Sequence, residues 1–435
     1  KGNENSLDPE RLLYVCGEGE RLMTAEEKDV VIIGGGPAGL GAAVELYRKG
    51  IRNILIIERE KNLGGILRQC IHDGFGLNRF HQTLSGPEYA QRFIDQVEEL
   101  HIPYLTNATV IHISADKTVM VASEKGILQY HARAIILAMG CRERTRGAIS
   151  IPGTRPSGIY TAGVAQSYIN LYNKMVGRKV VVLGSGDIGM IMARRLTLEG
   201  AEVKAVFEIQ PYPSGLPRNI QQCLKDYDIP LFLNHTVTRI QGDSRLKAVT
   251  VAQVDDEMNP IPGTEKEYFC DTLILSVGLI PENELSLSAG VDLDSRTKGA
   301  VADENCQTNV EGVFAAGNVL HVHDLVDFVS AESERMADAV AQYIHNDSLE
   351  DCGLNIKTDR NIAYTVPQKI SGKKDFVLSL RVKRPLKDCR INVTQNEKVK
   401  KTIKMRKALP ANMIQLPIKK ETLDSQTDLE VRVTC

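Results

Sequence analysis

The amino-acid sequence predicts an α/β chain in which two βαβ units with parallel strands are followed by a smaller all-β domain. Three observations predict it. The pattern G-x-G-x-x-G follows an apolar strand at Gly34, Gly36 and Gly39, and it returns after another apolar strand at Gly184, Gly186 and Gly189, each 150 positions later. The third lies in residues 356–435, where side chains alternate apolar and polar, as in Phe376, Leu378, Leu380 and Val382 or Leu429, Val431 and Val433.

In the first unit, residues 29–58, the run Val30 to Ile33 is apolar throughout, which suits a parallel strand buried on both faces. Gly34 permits the tight turn that ends it, Gly36 lets the backbone approach a pyrophosphate, and Gly39 lets the next helix pack closely on the strand. Pro37 and Ala38 open that helix, whose free N–H groups and dipole favour an anion. A second apolar strand at 54–57 ends in Glu58, 19 residues after Gly39, where a carboxylate accepts hydrogen bonds from an adenosine ribose; Arg59 follows it. Residues 63–77 are too rich in glycine for a regular helix, and Gly64 and Gly65, followed by Ile66, let backbone come close to a ligand. An amphipathic helix at 87–100, strands at 109–113, 118–122 and 127–131, and an apolar strand at 134–138 follow. Val110, Ala138 and Gly140 complete the expected wall of the first nucleotide site.

The second unit, residues 178–208, repeats this design, with Asp187 and Ile188 opening its helix and Glu208 in the place of Glu58. The chain is therefore expected to carry two Rossmann-like dinucleotide-binding domains and two dinucleotides. A strand ending at Gly278 echoes the one ending at Gly140. Glu208 predicts a preference for NADH over NADPH: a 2′-phosphate beside it would bring like charges together, and residues 209–212 contain no arginine, the next being Arg218. A strand, a turn and a long helix follow over residues 310–344.

The 435 residues are 43% apolar and 25% charged, an ordinary balance for a soluble globular protein of two or three domains. No stretch reaches the length of a membrane span, and residues 1–28, which include Met23, lack a signal-peptide core; a cytoplasmic protein is expected. Nine scattered cysteines, never spaced as C-x-x-C, argue against a disulfide framework, a structural zinc site or a cysteine-ligated cluster. The net charge of −2 conceals an asymmetry: residues 357–435 carry 19 Lys and Arg against 8 Asp and Glu, a balance of +11. No aromatic-rich nucleic-acid motif accompanies this charge, so an acidic protein surface, the chain's own body included, is the expected partner rather than nucleic acid.

Taken in order, these motifs resemble the two-domain flavoproteins of the pyridine nucleotide-disulfide oxidoreductase superfamily, over residues 29–344. The resemblance implies that the first unit binds FAD and the second NAD(P)H. It also implies that the segment Phe314-Ala315-Ala316-Gly317-Asn318 returns to the FAD domain to hold the ribityl chain and flavin. Asn318 stands where the family usually has Asp, and an amide can still accept from and donate to a ribityl hydroxyl. The next helix, starting near Val326 and Asp327, is expected to aim its N-terminus at the flavin. The implied domains are an extension at 1–28, an FAD-binding domain at 29–155 and 282–350 interrupted by an NAD(P)-binding domain at 156–281, and a basic β-rich domain at 356–435. The stretches LGGILRQCIHDGFGL, CRERTRGAI, LIPENEL and GNVLHVHDLVDFV are similar to a narrower bacterial group, the NAD(FAD)-dependent oxidoreductases found with anaerobic glycerol-3-phosphate dehydrogenase. More distantly they resemble subunits of opine oxidase and hydrogen cyanide synthase. A partner subunit, a dehydrogenase or an iron–sulfur protein, and an oligomeric assembly are expected from this likeness.

The chemistry so implied is hydride transfer between nicotinamide and flavin, with electrons exchanged with an acceptor or partner subunit. Cys70, His72 and His323 are candidate catalytic residues near the flavin, with His321 beside them. His321 and His323 have the spacing of a metal pair, but no third ligand is evident in the sequence and no metal is expected. Arg142, Arg144 and Arg146 are candidates for a phosphate or partner contact. Three other functions remain open: a disulfide or peroxide reductase using distant cysteines such as Cys70 and Cys141, an FAD subunit of an amino-acid or opine-type dehydrogenase, and a nucleotide-dependent scaffold without catalysis.

Overall fold

Polar residues, not apolar ones, begin the first strand. The computed structural model describes residues 25–435, so the extension up to residue 24, with Cys16 and Met23, lies outside the described residues. The strand Glu26–Ile33 starts four residues ahead of its apolar run, because Glu26, Glu27 and Lys28 pair along Tyr130, His131 and Ala132. Its apolar half is buried on both sides. Val30 and Ile32 point into one core cluster, and Val31 and Ile33 into another.

That strand is central to a seven-stranded sheet ordered Tyr104–Leu105, Ile54–Ile57, Glu26–Ile33, Gly126–Leu137, Thr118–Ser123, Thr109–Ile113, with Val313–Ala315 also joined to Gly126–Leu137. Where the sequence suggests two strands at 127–131 and 134–138, one strand of 12 residues runs through. Its first half pairs antiparallel with Thr118–Ser123 and begins exposed, burial alternates from Tyr130 to Arg133, and its last four residues, flanked by parallel neighbours, are all buried. The change of partner produces the change of pattern. Helix Pro37–Arg48 packs against helix Val326–Asn346 at close range, since a Cβ on Gly41 would lie 2.8 Å from Ser333 Oγ.

The second unit forms an all-parallel five-stranded sheet ordered Ile159–Thr161, Thr272–Leu275, Lys179–Leu183, Glu202–Glu208, Leu231–Leu233. Val180 and Val182 face one core, Val181 and Leu183 the other. The chain crosses between the two units twice, and the crossings hold each other. Cys141–Glu143 pairs antiparallel with Leu279–Pro281, Gly140 O accepts from Glu282 N at 3.1 Å, and Gly278 O accepts from Arg144 N at 3.0 Å. Arg142 adds ion pairs to Glu282 and Glu284, while the Arg146 guanidinium donates to the carbonyls of Ile151, Gly153 and Thr154. These arginines are structural staples of the crossing. Cys141–Glu143 and Leu279–Pro281 thus form a two-stranded ribbon at the crossing.

The C-terminal region is a sandwich of a five-stranded and a three-stranded sheet around Leu378, Leu380, Ile391, Val393 and Val431. It is seated on the first unit. Arg381 donates to Val322 O at 3.0 Å, Asp324 Oδ2 accepts from Met413 N at 3.2 Å, and Val366 enters the core on one face of the seven-stranded sheet. Among the described residues, no helix is long and apolar enough to cross a membrane.

Candidate functional site

One continuous cleft of about 2390 Å³ runs between the two units. That is more than twice the roughly 1,000 Å³ at the upper end of ordinary ligand pockets. Most of the residues singled out in the sequence as catalytic or cofactor-binding line it; Gly39, Gly64, Gly189, Gly317, His321 and Asp327 do not.

In the first unit, Gly34 has φ +110°, in the region that favours glycine, and a Cβ there would lie 2.4 Å from Ala138 O. A Cβ on Gly39 would lie 1.9 Å from Gly34 O, so helix and strand could not approach. Gly36 is different, because among the described residues a Cβ there would meet only Gly65 Cα, at 3.9 Å. The space beyond Gly36 is open, the helix it caps has no acid in its first turn, and its backbone N–H groups face that space as they would face a pyrophosphate. Buried Glu58 accepts from Gly35 N and Glu60 N, each at 2.8 Å. Two backbone donors leave the carboxylate free acceptor positions on the cleft side, where Arg59 and Ile66 stand exposed. The residues present fit the adenosine diphosphate half of a dinucleotide.

The second unit keeps the glycines and changes their surroundings. A Cβ on Gly184 would lie 2.1 Å from Ser276 O, and one on Gly186 would lie 2.8 Å from Ser276 Oγ. Ser276 is the counterpart of Ala138, and its Oγ accepts from Gly189 N at 3.1 Å. The Asp187 carboxylate turns to Leu216 N at 2.8 Å and Asn219 Nδ2 at 2.6 Å. Glu208, also buried, accepts from Ser185 N (3.0 Å), Ser185 Oγ (2.6 Å), Ser214 Oγ (2.6 Å) and Gln210 N (3.0 Å). Residues 210–216 thus close over the carboxylate that the sequence points to as the ribose partner. Ser185, Ser214 and Ser276 carry no sequence signal of their own; only the repeated strand end identifies Ser276.

At the far end of the cleft Asn318 uses both amide groups, its Nδ2 reaching Cys141 Sγ at 3.6 Å and its Oδ1 accepting from His323 N at 3.0 Å. Helix Val326–Asn346 begins there with Val326 on the cleft wall, and Asp327 turns away to accept from Arg79 N. Cys70 and Cys141 are free thiols with separate partners, Cys70 contacting Ile66 O and Gln166 Oε1. Burial pushes the Cys70 thiol up to about 12 and the Cys141 thiol up to about 11, so both are protonated at neutral pH. Burial also lowers His72, whose ring lies beside the 72–75 segment facing Arg218 of the second unit.

His321 and His323 are not a pair without a third member. Glu332, one helical segment on, places Oε2 2.7 Å from His321 Nε2 and 3.4 Å from His323 Nε2. Burial raises the Glu332 carboxyl, but the two imidazoles outweigh it and hold the group well below the usual carboxylate range. A signal for Glu332 was present in the sequence: an acid on the helix face that otherwise carries Val329, Ser333, Met336 and Val340.

The family model described as pyridine nucleotide-disulphide oxidoreductase matches residues 28–362. Among curated proteins, hydrogen cyanide synthase subunit HcnB of Pseudomonas protegens is 27% identical over 319 residues, covering 66% of this chain and 65% of that protein. Thioredoxin reductase of Listeria monocytogenes is 29% identical over 304 residues, 68% of this chain and 88% of its own length. The crystal structure of T. acidophilum thioredoxin reductase superposes with a TM-score of 0.61 at 24% identity, covering 73% of this chain and 98% of that one.

Proposed function

Because the chain belongs to the pyridine nucleotide-disulphide oxidoreductase family, and so is an FAD- and NAD(P)-dependent oxidoreductase, we propose that it exchanges electrons between NAD(H) and a partner chain by way of FAD. One observation carries this reading: both glycine motifs open onto the same cleft, whose far end is formed by Asn318, Val326 and Cys141. When bound, the two cofactors supply hydride transfer between nicotinamide and flavin. The chain's own residues supply the rest. Gly34, Gly36 and Gly39 with Glu58 hold one adenosine diphosphate, Gly184, Gly186 and Gly189 with Glu208 hold the other, and Asn318 is placed for the ribityl chain. The N-terminus of Val326–Asn346 presents its positive dipole end to the flavin end of the cleft.

Cys70 is buried and Cys141 half-buried, both are protonated, and each has its own partners, which favours electrons leaving by a route other than a thiol pair. HcnB is named as a subunit of a larger synthase, and the basic C-terminal sandwich offers a surface for such a partner. NADH is the preferred nucleotide, since Glu208 stands where a 2′-phosphate would lie. Absorption spectra of purified protein, before and after anaerobic NADH addition, test the reading. A flavin spectrum that bleaches with NADH, slow turnover with small natural acceptors and faster turnover with artificial dyes are expected. A colourless protein, or rapid thiol-dependent turnover by the isolated chain, would overturn it.

A further inference from the structure

We propose that His321, His323 and Glu332 form a site for a divalent transition-metal ion of the zinc class at the flavin end of the cleft. Each residue offers one ligand atom, and the three atoms lie within 4.8 Å of one another. The histidine side chains are 1% exposed and that of Glu332 is 6% exposed. His321 Nδ1 and both ring nitrogens of His323 have no hydrogen-bond partner among the described residues. Buried polar atoms left in that state are uncommon in folded proteins and call for an occupant.

The spacing suits an ion. Ligand atoms at 2.0–2.1 Å from a tetrahedral centre are about 3.3 Å from each other. His323 Nε2 and Glu332 Oε2, 3.4 Å apart, already have that separation. His321 Nε2, at 2.7 Å from the same oxygen, is hydrogen-bonded to it and has to withdraw by only about 0.6 Å to reach the ligand spacing. The donor set is one carboxylate and two imidazoles.

The surroundings orient these groups. Gly317 N donates to Glu332 Oε1 at 2.9 Å, which turns Oε2 toward the imidazoles. The ring of Tyr364, from the C-terminal sandwich, meets His321 edge-on at 5.9 Å. The Arg381 guanidinium is committed to Asp324 and to the carbonyls of Val322 and Pro410. Three protein ligands leave one position of a tetrahedral ion unfilled, and of the three only His323 lines the cleft. Two histidines and one carboxylate with an open position are the donor set of a catalytic zinc site rather than a closed structural one. Water or a substrate oxygen would complete it.

Metal content tests this independently of electron transfer, so failure here leaves the proposed function standing. Untagged full-length holoprotein is stripped with chelator, refilled with Zn²⁺ or Co²⁺, passed through gel filtration and analysed for metal. One ion per chain is expected, with a rise in the thermal unfolding midpoint on adding Zn²⁺ to the stripped protein. His323→Ala and Glu332→Gln should each lose the ion. Should Glu332→Gln not fold, His323→Ala and the Zn²⁺-dependent midpoint decide the matter. Wild-type protein that retains no stoichiometric ion and shows no Zn²⁺-dependent shift, or His323→Ala that retains the ion as wild type does, would overturn the proposal and leave a buried cluster in which Glu332 is hydrogen-bonded to His321.

Discussion

The two βαβ units share their glycine spacing yet differ in what meets the helix N-terminus. In the first, Gly36 borders open space and Glu58 accepts from two backbone N–H groups. In the second, Ser276 crowds Gly186, and Glu208 accepts four hydrogen bonds, two of them from the serine hydroxyls of Ser185 and Ser214. A dinucleotide entering the first site displaces no side chain from its glutamate. One entering the second and bonding to Glu208 Oε2 must replace a hydroxyl, because that oxygen already accepts three of the four bonds. We infer that the first unit is built for a resident cofactor and the second for one that exchanges, a difference that the glycine motif does not record.

The largest expected effect separates the third glycines. At Gly39 an added methyl would meet backbone, Gly34 O at 1.9 Å, whereas at Gly189 its nearest neighbour is the Ser276 side chain at 2.5 Å. Gly39→Ala should be destabilised by more than about 3 kcal/mol and be recovered with little flavin. Gly189→Ala should fold with its flavin and lose reduction by NADH. Thermal denaturation and the flavin absorbance per chain measure both. A coloured, stable Gly39→Ala beside a colourless Gly189→Ala would reverse the assignment of the two sites.

The second effect concerns Glu208. A carboxylate that repels a 2′-phosphate by about 1.4 kcal/mol gives tenfold discrimination. Glu208→Gln keeps the side chain's shape and removes its charge, so the ratio of kcat/KM for NADH over NADPH should fall about tenfold while flavin content stays constant. Equal efficiency with both nucleotides in the unmutated chain would show that Glu208 does not select.

How far these contrasts could be read beforehand depends on their range along the chain. The glycines, Glu58 and Glu208 were legible because turn, helix and strand end lie within 30 or so residues and obey local steric rules. Ser276 was not, since it meets Gly186 and Gly189 only through pairing of Lys179–Leu183 with Thr272–Leu275, far apart in sequence. The same reason hid the ribbon between Cys141–Glu143 and Leu279–Pro281, which pair across more than 130 residues of sequence. Glu332 was overlooked because an acid on a long helix looks like a solvated residue until the helix is docked.

Thiol chemistry provides a smaller contrast with a definite sign. Burial raises both cleft cysteines, so the reactive thiolate is scarce near pH 7 and increases only as pH rises toward about 12 for Cys70 and about 11 for Cys141. Iodoacetamide should therefore modify exposed Cys435 first and leave Cys70 and Cys141 unmodified in folded protein at pH 8. Mass spectrometry of digested protein reads the order. Rapid labelling of Cys70 at neutral pH that appears only after reduction by NADH would restore the case for a thiol in the reaction.

The smallest effect is the most direct test of an exchanging second site. Ser214 Oγ donates to Glu208 Oε2 at 2.6 Å, and Ser214 N donates to Ser185 Oγ at 2.8 Å. Ser214→Ala removes the first bond and keeps the second, so the loop stays in place while one carboxylate lone pair becomes free for a ribose hydroxyl. A neutral hydrogen bond contributes about 0.5–1.5 kcal/mol net, and the serine's bond is one that bound nucleotide would have to displace. KM for NADH should fall by about twofold to fivefold with kcat unchanged, the pattern of binding energy shared equally by ground and transition states. If Ser214 instead swings round to bind the nucleotide itself, KM will rise by a similar factor. A rise would show that the loop belongs to the bound state, and the distinction drawn between the two units would then lie in Ser276 alone.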